Sequence, residues 1–170
     1  MQAAATPFYF SNTPDSYWTG SLALNLPAPE GTSGDWHKVG RIRPGDETRL
    51  RRWCAGSELF SDTRNLMELD GVYDCTDTLR KQGFVTDGPI YAANHFRALI
   101  DLVVTWYDRG SVPAPVPFAD FLPHPEHQRM FFRFLNRRAR LFPKALRSAF
   151  AAWLVEDRRI ERLKWYSDAG

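Results

Sequence analysis

Cysteine is scarce in this chain: there are two, Cys54 and Cys75, and neither stands in a CxxC pair. That excludes a disulfide framework and the usual thiolate metal sites, and it predicts free thiols in a reducing compartment. Long apolar runs are missing too. The longest centres on Leu102, Val103 and Val104, far short of the roughly 20 residues a membrane-spanning helix requires. Residues 1–7 carry neither the basic stretch nor the apolar run of a secretory signal. The expected setting is the cytoplasm, without a membrane partner. The phosphate-loop, dinucleotide-binding, GxSxG, HExxH and EF-hand patterns are all absent, as are internal repeats and low-complexity tracts. No cofactor and no metal is expected, nor is a small-molecule substrate.

Two features are abundant. Aromatic residues form 14% of the chain, six of them tryptophan; such rings build cores and binding surfaces alike, because they gain contact area with few rotatable bonds to freeze. Charge is unevenly placed. Between Arg129 and Lys164 stand eleven Lys/Arg against three acids, a net +8, while everything before them sums to −5. A surface divided in this way speaks of partners more than of fold.

A length of 170 residues suits one domain of roughly 100–200, expected to span 1–170. Residues 1–86 read as strands, loops and short helices, and 87–170 as helical and increasingly basic. The fold class this predicts is α+β: a small N-terminal antiparallel sheet with loops, packed against a C-terminal bundle of three longer helices.

Period-two alternation over residues 17–26 places Trp18, Leu22, Leu24 and Leu26 on one face of a half-buried strand. Gly31 to Gly34 reads as a tight loop, with a possible return strand over residues 37–42. Asp46 is a candidate cap for a short helix through Leu50 and Trp53 that Gly56 stops. Asp70-Gly71 between two apolar stretches signals a hairpin, and Thr76 or Asp77 a helix cap before Gly83. The clearest helix covers 89–108, with Pro89 in its first turn. On it Phe96, Leu99, Ile100, Val103 and Tyr107 form an apolar face, and Arg97 and Asp101 pair on the other side. Residues 112–117, with three prolines, form an extended connector, and two further helices cover 125–141 and 144–165.

The sharpest pattern lies on the helix over 125–141. With Arg129 as zero, at 100° per residue, Arg140 falls at about 20°, Arg133 at about 40° and Arg137 at about 80°. Phe131, Phe134, Leu135 and Leu141 occupy the sector of about 120–240°. Four guanidiniums thus share one face over about 16 Å. Guanidinium is planar, permanently charged and weakly hydrated, which suits pairing with carboxylates or phosphates. The plainer alternative is a solvated face paired loosely with the chain's own acids.

Other candidates are weaker. Asp35, Trp36 and His37 bring an acid, a ring and an imidazole together beside flexible glycines: His37 would serve as a base oriented by Asp35, and Trp36 as a further binding residue. No nucleophile accompanies them, so the alternative is a loop with a plugging ring. His95, near Leu99, Leu102 and Trp106 on its helix, fits a core histidine bonded to a carbonyl better than an acid–base partner of His37. His124 and His127 share a helical turn but lack a third metal ligand. Nothing adjacent activates Cys54 or Cys75.

The reading that follows is a non-enzymatic binding protein of the inhibitor, antitoxin or accessory-factor kind. It would meet an acidic protein or a nucleic-acid-associated partner through Arg129, Arg133, Arg137 and Arg140, with Trp36 adding contact. The alternatives are direct nucleic-acid binding through the same row, and a small enzyme using His37 and His95. A helix-turn-helix is not expected, because the break at Phe142-Pro143 lacks the short glycine-containing turn.

Overall fold

Asn94 fixes where the central helix begins. Its side-chain oxygen accepts from the Arg97 backbone N–H at 2.9 Å, satisfying one of the donors that a helix start leaves without a partner. The computed structural model describes residues 6–8, 10–34, 42, 45, 47–110 and 117–155, giving backbone alone for 6–8 and 155. In chain order it contains strand β1 (Thr6–Phe8), helix α1 (Gly20–Leu24), helix α2 (Glu47–Arg51), helix α3 (Arg64–Met67), strand β2 (Val72–Asp74), helix α4 (Thr76–Lys81) and strand β3 (Phe84–Thr86). Strand β4 (Tyr91–Ala93) and helices α5 (His95–Asp108), α6 (Phe118–Phe121), α7 (Pro125–Arg138) and α8 (Lys144–Val155) follow. Residues Pro14–Ser16 and Ala139–Leu141 are single 3-10 turns.

This is an α+β architecture. β2 and β4 pair antiparallel, with Tyr73 opposite Ala92, and β1 and β3 form a separate parallel pair. The three long helices α5, α7 and α8 pack together through a cluster rich in rings, among them Phe96, Phe118, Phe131, Phe134, Phe150 and Trp153. A second cluster, around Phe10, Trp18, Leu22, Cys75 and Ile90, fills the space beside the strands. Among the described residues, no helix is long and apolar enough to cross a membrane.

Several expectations give way to the structure. Residues 17–26 do not form a strand: Trp18 makes single bridges to Cys54 and Ala92, and residues 20–24 are helix α1. Alternation marks a strand only when one face meets water, and here Tyr17, Thr19 and Ala23 are as buried as Trp18, Leu22 and Leu24. Gly20 makes the change of direction with φ of 59°, where the Phe60 ring lies so close that a Cβ would sit 2.3 Å from it. Asp70-Gly71 does not close a hairpin. Leu66 and Met67 belong to helix α3, Gly71 turns the chain with φ of 81°, and β2 finds its partner in β4.

The central helix starts at His95 rather than 89, because residues 91–93 are drawn into the sheet. The start of α4 also differs: Cys75, not Thr76 or Asp77, stands at the cap position, and the Asp74 carboxylate before it accepts from the Thr76 N–H at 2.9 Å. Helix α2 runs from Glu47 to Arg51, its expected cap Asp46 lies outside the described residues, and Gly83 follows α4 with φ of 91°. The return strand over 37–42 and the 112–117 connector fall almost wholly outside the described residues, as does the last helix beyond Val155.

The largest correction concerns Arg97 and Asp101. They do pair, Arg97 Nε to Asp101 Oδ1 at 2.9 Å, but both side chains are 0% exposed. Helix α5 is buried all round from His95 to Asp101, because α1 covers the side that the pattern assigned to water. Asp101 also accepts from Tyr17 Oη at 2.9 Å, Thr19 Oγ1 at 2.7 Å and Thr63 Oγ1 at 2.5 Å. Arg97 donates to Thr63 Oγ1 and to the carbonyl oxygens of Glu68 and Asp70. Its guanidinium lies 5.1 Å from the centre of the Tyr17 ring. Burial, with the Asp101 carboxylate close by, holds the Tyr17 hydroxyl well above the ordinary tyrosine range and so keeps it a donor.

Candidate functional site

Helix α7 begins at Pro125, whose missing N–H suits a first helical turn. It buries Gln128, Phe131, Phe132, Phe134 and Leu135. That leaves Arg129, Arg133, Arg137 and Arg140 exposed together on the opposite side. The last of them lies in the 3-10 turn, where about 120° per residue moves it to about 60°, still between Arg133 and Arg137. Leu141, expected on the apolar face, is 50% exposed instead. Among the described residues no carboxylate forms an ion pair with any of the four. Arg137 is stacked, its guanidinium 5.0 Å from the centre of the Phe134 ring.

Arg138 behaves differently. At about 180° it points with the core face, and it is spent inside the molecule: Nη2 to Glu68 Oε2 at 3.0 Å and Nε to Asp70 Oδ2 at 2.9 Å. Arg97 holds the same turn from beneath through the backbone carbonyls of Glu68 and Asp70. Glu68 has φ of 51°, unusual for a residue with a Cβ and kept only where surroundings over-determine it. Two arginines therefore clamp the turn at residues 68–71.

That turn and α7 face each other across an open groove of about 790 Å³. Phe96, Phe134 and Met130 contribute apolar surface, Arg133 and Arg137 stand on the α7 side, and Asp70, Gly71 and Asn94 close the other. The two rings are 4% and 7% exposed, so they offer edges rather than open faces. Asp70 is the only acid among the lining residues, and it pairs with Arg138, which Glu68 shares. Sequence reasoning identified Arg133 and Arg137 but missed Gly71, Asn94, Phe96 and Met130, which three separate elements bring together.

Asp35, Trp36 and His37 lie outside the described residues. His95 is buried, with Nε2 2.7 Å from the Leu26 carbonyl oxygen and its backbone N–H donating to Glu30. This is the arrangement of a core histidine. His124 and His127 meet edge to face at the start of α7, ring centres 5.6 Å apart. Among the described residues, no group of three or more His, Cys, Asp or Glu could hold a metal ion.

Cys54 and Cys75 are both buried and unbonded to each other. Burial, with the Asp74 carboxylate adding to it, pushes the Cys75 thiol up to about 12; burial likewise raises Cys54. An unfolded thiol ionises near about 8.5. The folded state holds its proton longer, so the stability this group contributes is complete below about pH 8.5 and is lost as pH rises towards 12. For Cys75 the loss at pH 10 is about 2 kcal/mol. Urea midpoints at pH 8 and pH 10 are expected to differ more in the native protein than in Cys75→Ala. In folded protein at pH 8, neither thiol should react with a disulfide reagent over minutes.

Comparison with known protein families, with curated proteins and with solved structures finds no match to this chain.

Proposed function

We propose that the protein binds an acidic macromolecular partner through the arginine face of α7, as an inhibitor or accessory factor would, rather than catalysing a reaction. The observation that carries this reading is the exposure of Arg129, Arg133, Arg137 and Arg140 on one side, with no paired carboxylate among the described residues. Arg129, Arg133 and Arg137 follow one another at i,i+4, a like-charge spacing that costs roughly 0.2–0.5 kcal/mol per pair in a helix. A row that opposes its own helix and has no carboxylate partner among the described residues fits an external one. Guanidinium pairs with carboxylate in a planar fork, and such a surface steers encounter as well as holding the complex.

An acidic protein suits the face better than a nucleic acid. Binding of single strands relies on exposed ring faces on which bases stack, and here Phe96 and Phe134 are buried to their edges, the latter beneath Arg137. Affinity capture from the source cells, with and without nuclease, tests the reading. The native protein should retain an acidic partner after nuclease and release it as salt screens the charges. The variant carrying Arg129→Glu, Arg133→Glu, Arg137→Glu and Arg140→Glu should fold normally and retain nothing. Equal capture by that variant would overturn the proposal, and loss of the partner on nuclease treatment would favour nucleic acid.

A further inference from the structure

The groove beside the arginine row has a shape and lining that the row alone does not explain. It lies where Arg133 and Arg137 meet Phe96, Met130 and Phe134, against the turn that Arg97 and Arg138 hold from two sides. Gly71 permits this close approach. A Cβ there would stand 2.8 Å from Asn94 Oδ1 and 2.9 Å from Phe134 Cζ, so a larger residue would crowd the groove and its wall together. Met130 is half-exposed against the core, and an unbranched thioether side chain adapts its shape to what it meets.

Resting on the reading of α7 as the docking face, we propose that this groove is the specificity pocket of that interface. It takes one or two apolar side chains of an acidic protein segment, while carboxylates flanking them pair with Arg133 and Arg137. Charge complementarity selects this occupant. The cationic side of the groove has no carboxylate partner among the described residues, and the groove's one acid, Asp70, stands on the opposite wall, held by Arg138. A purely acidic segment would leave the apolar floor in water; a purely apolar one would leave two guanidiniums unmatched. An amphipathic acidic helix with apolar residues at i and i+4 satisfies both. Its volume of about 790 Å³ falls within the range of about 300–1,000 Å³ typical of built binding pockets.

Fluorescence anisotropy with three labelled probes of equal length tests this: an all-glutamate peptide, the same peptide with two leucines four residues apart, and an oligothymidylate. The leucine-bearing peptide is expected to bind about tenfold or more tighter than the plain one, since burying a leucine supplies at least that factor. Met130→Gln should remove most of this advantage. The paired variant Arg133→Gln and Arg137→Gln should weaken both peptides without lowering the melting temperature. Equal affinity of the two peptides, still dependent on Arg133 and Arg137, would overturn the pocket while leaving the docking face standing. No peptide binding, or binding indifferent to both arginines, would overturn the two together. Tightest binding of the oligothymidylate would replace the acidic protein with nucleic acid.

Discussion

Asp101→Ala is expected to lower the stability by about 3–5 kcal/mol, the range for removing one partner of a buried ion pair. The reason lies in what is left behind. Arg97 would remain fully buried with its charge uncompensated, and the hydroxyls of Tyr17, Thr19 and Thr63 would each lose their acceptor. An ordinary domain has only about 5–15 kcal/mol in total, so the variant should lose a large part of its stability. Urea unfolding is the measurement: the midpoint should fall with little change in slope. The double change Arg97→Met and Asp101→Leu should be less damaging than Asp101→Ala, because it takes away both charges. It should still fall short of the native protein, since three hydroxyls lack the carboxylate. A loss under 1 kcal/mol for Asp101→Ala would mean that water reaches the pair.

Trp153→Ala is expected to cost a similar amount, about 3–5 kcal/mol. This ring joins α8 to the rest of the bundle, 5.4 Å from Phe118, 6.1 Å from Phe121 and 6.3 Å from Trp106 between ring centres, three edge-on contacts around one side chain. Its removal opens a cavity that rigid neighbouring rings cannot close. Near-ultraviolet circular dichroism should lose intensity along with the melting temperature. Leu141→Ala provides the contrast: its side chain is half in water, and the change should stay within about 0.5 kcal/mol. Comparable losses for the two would show that α8 is not docked through Trp153.

The arginine face and the groove bear differently on these stability terms. Arg133 and Arg137 are exposed and stabilise little, so their replacement should separate binding from folding. The clamp on residues 68–71 does not separate in this way, because Arg97 serves the core and the groove wall at once. A weakened core pair would therefore loosen the wall of the binding groove as well.

What could be read from residue order was whatever repeats at a fixed local period. Helix α7 and its arginine row were legible because 3.6-residue spacing puts Arg129, Arg133 and Arg137 on one side and the phenylalanines on the other, with water beyond the first. The helical second half followed from the same signal. Residues 17–26 misled for the opposite reason: alternation carries meaning only where one side is wet, and there Thr19 is buried to reach Asp101. Arg97 and Asp101 had the spacing of a surface pair, and nothing local distinguishes a pair in water from one beneath α1. The groove, too, depends on a turn at Gly71, a cap at Asn94 and a methionine on α7. Those positions lie far apart along the chain, and long-range packing is what makes them neighbours.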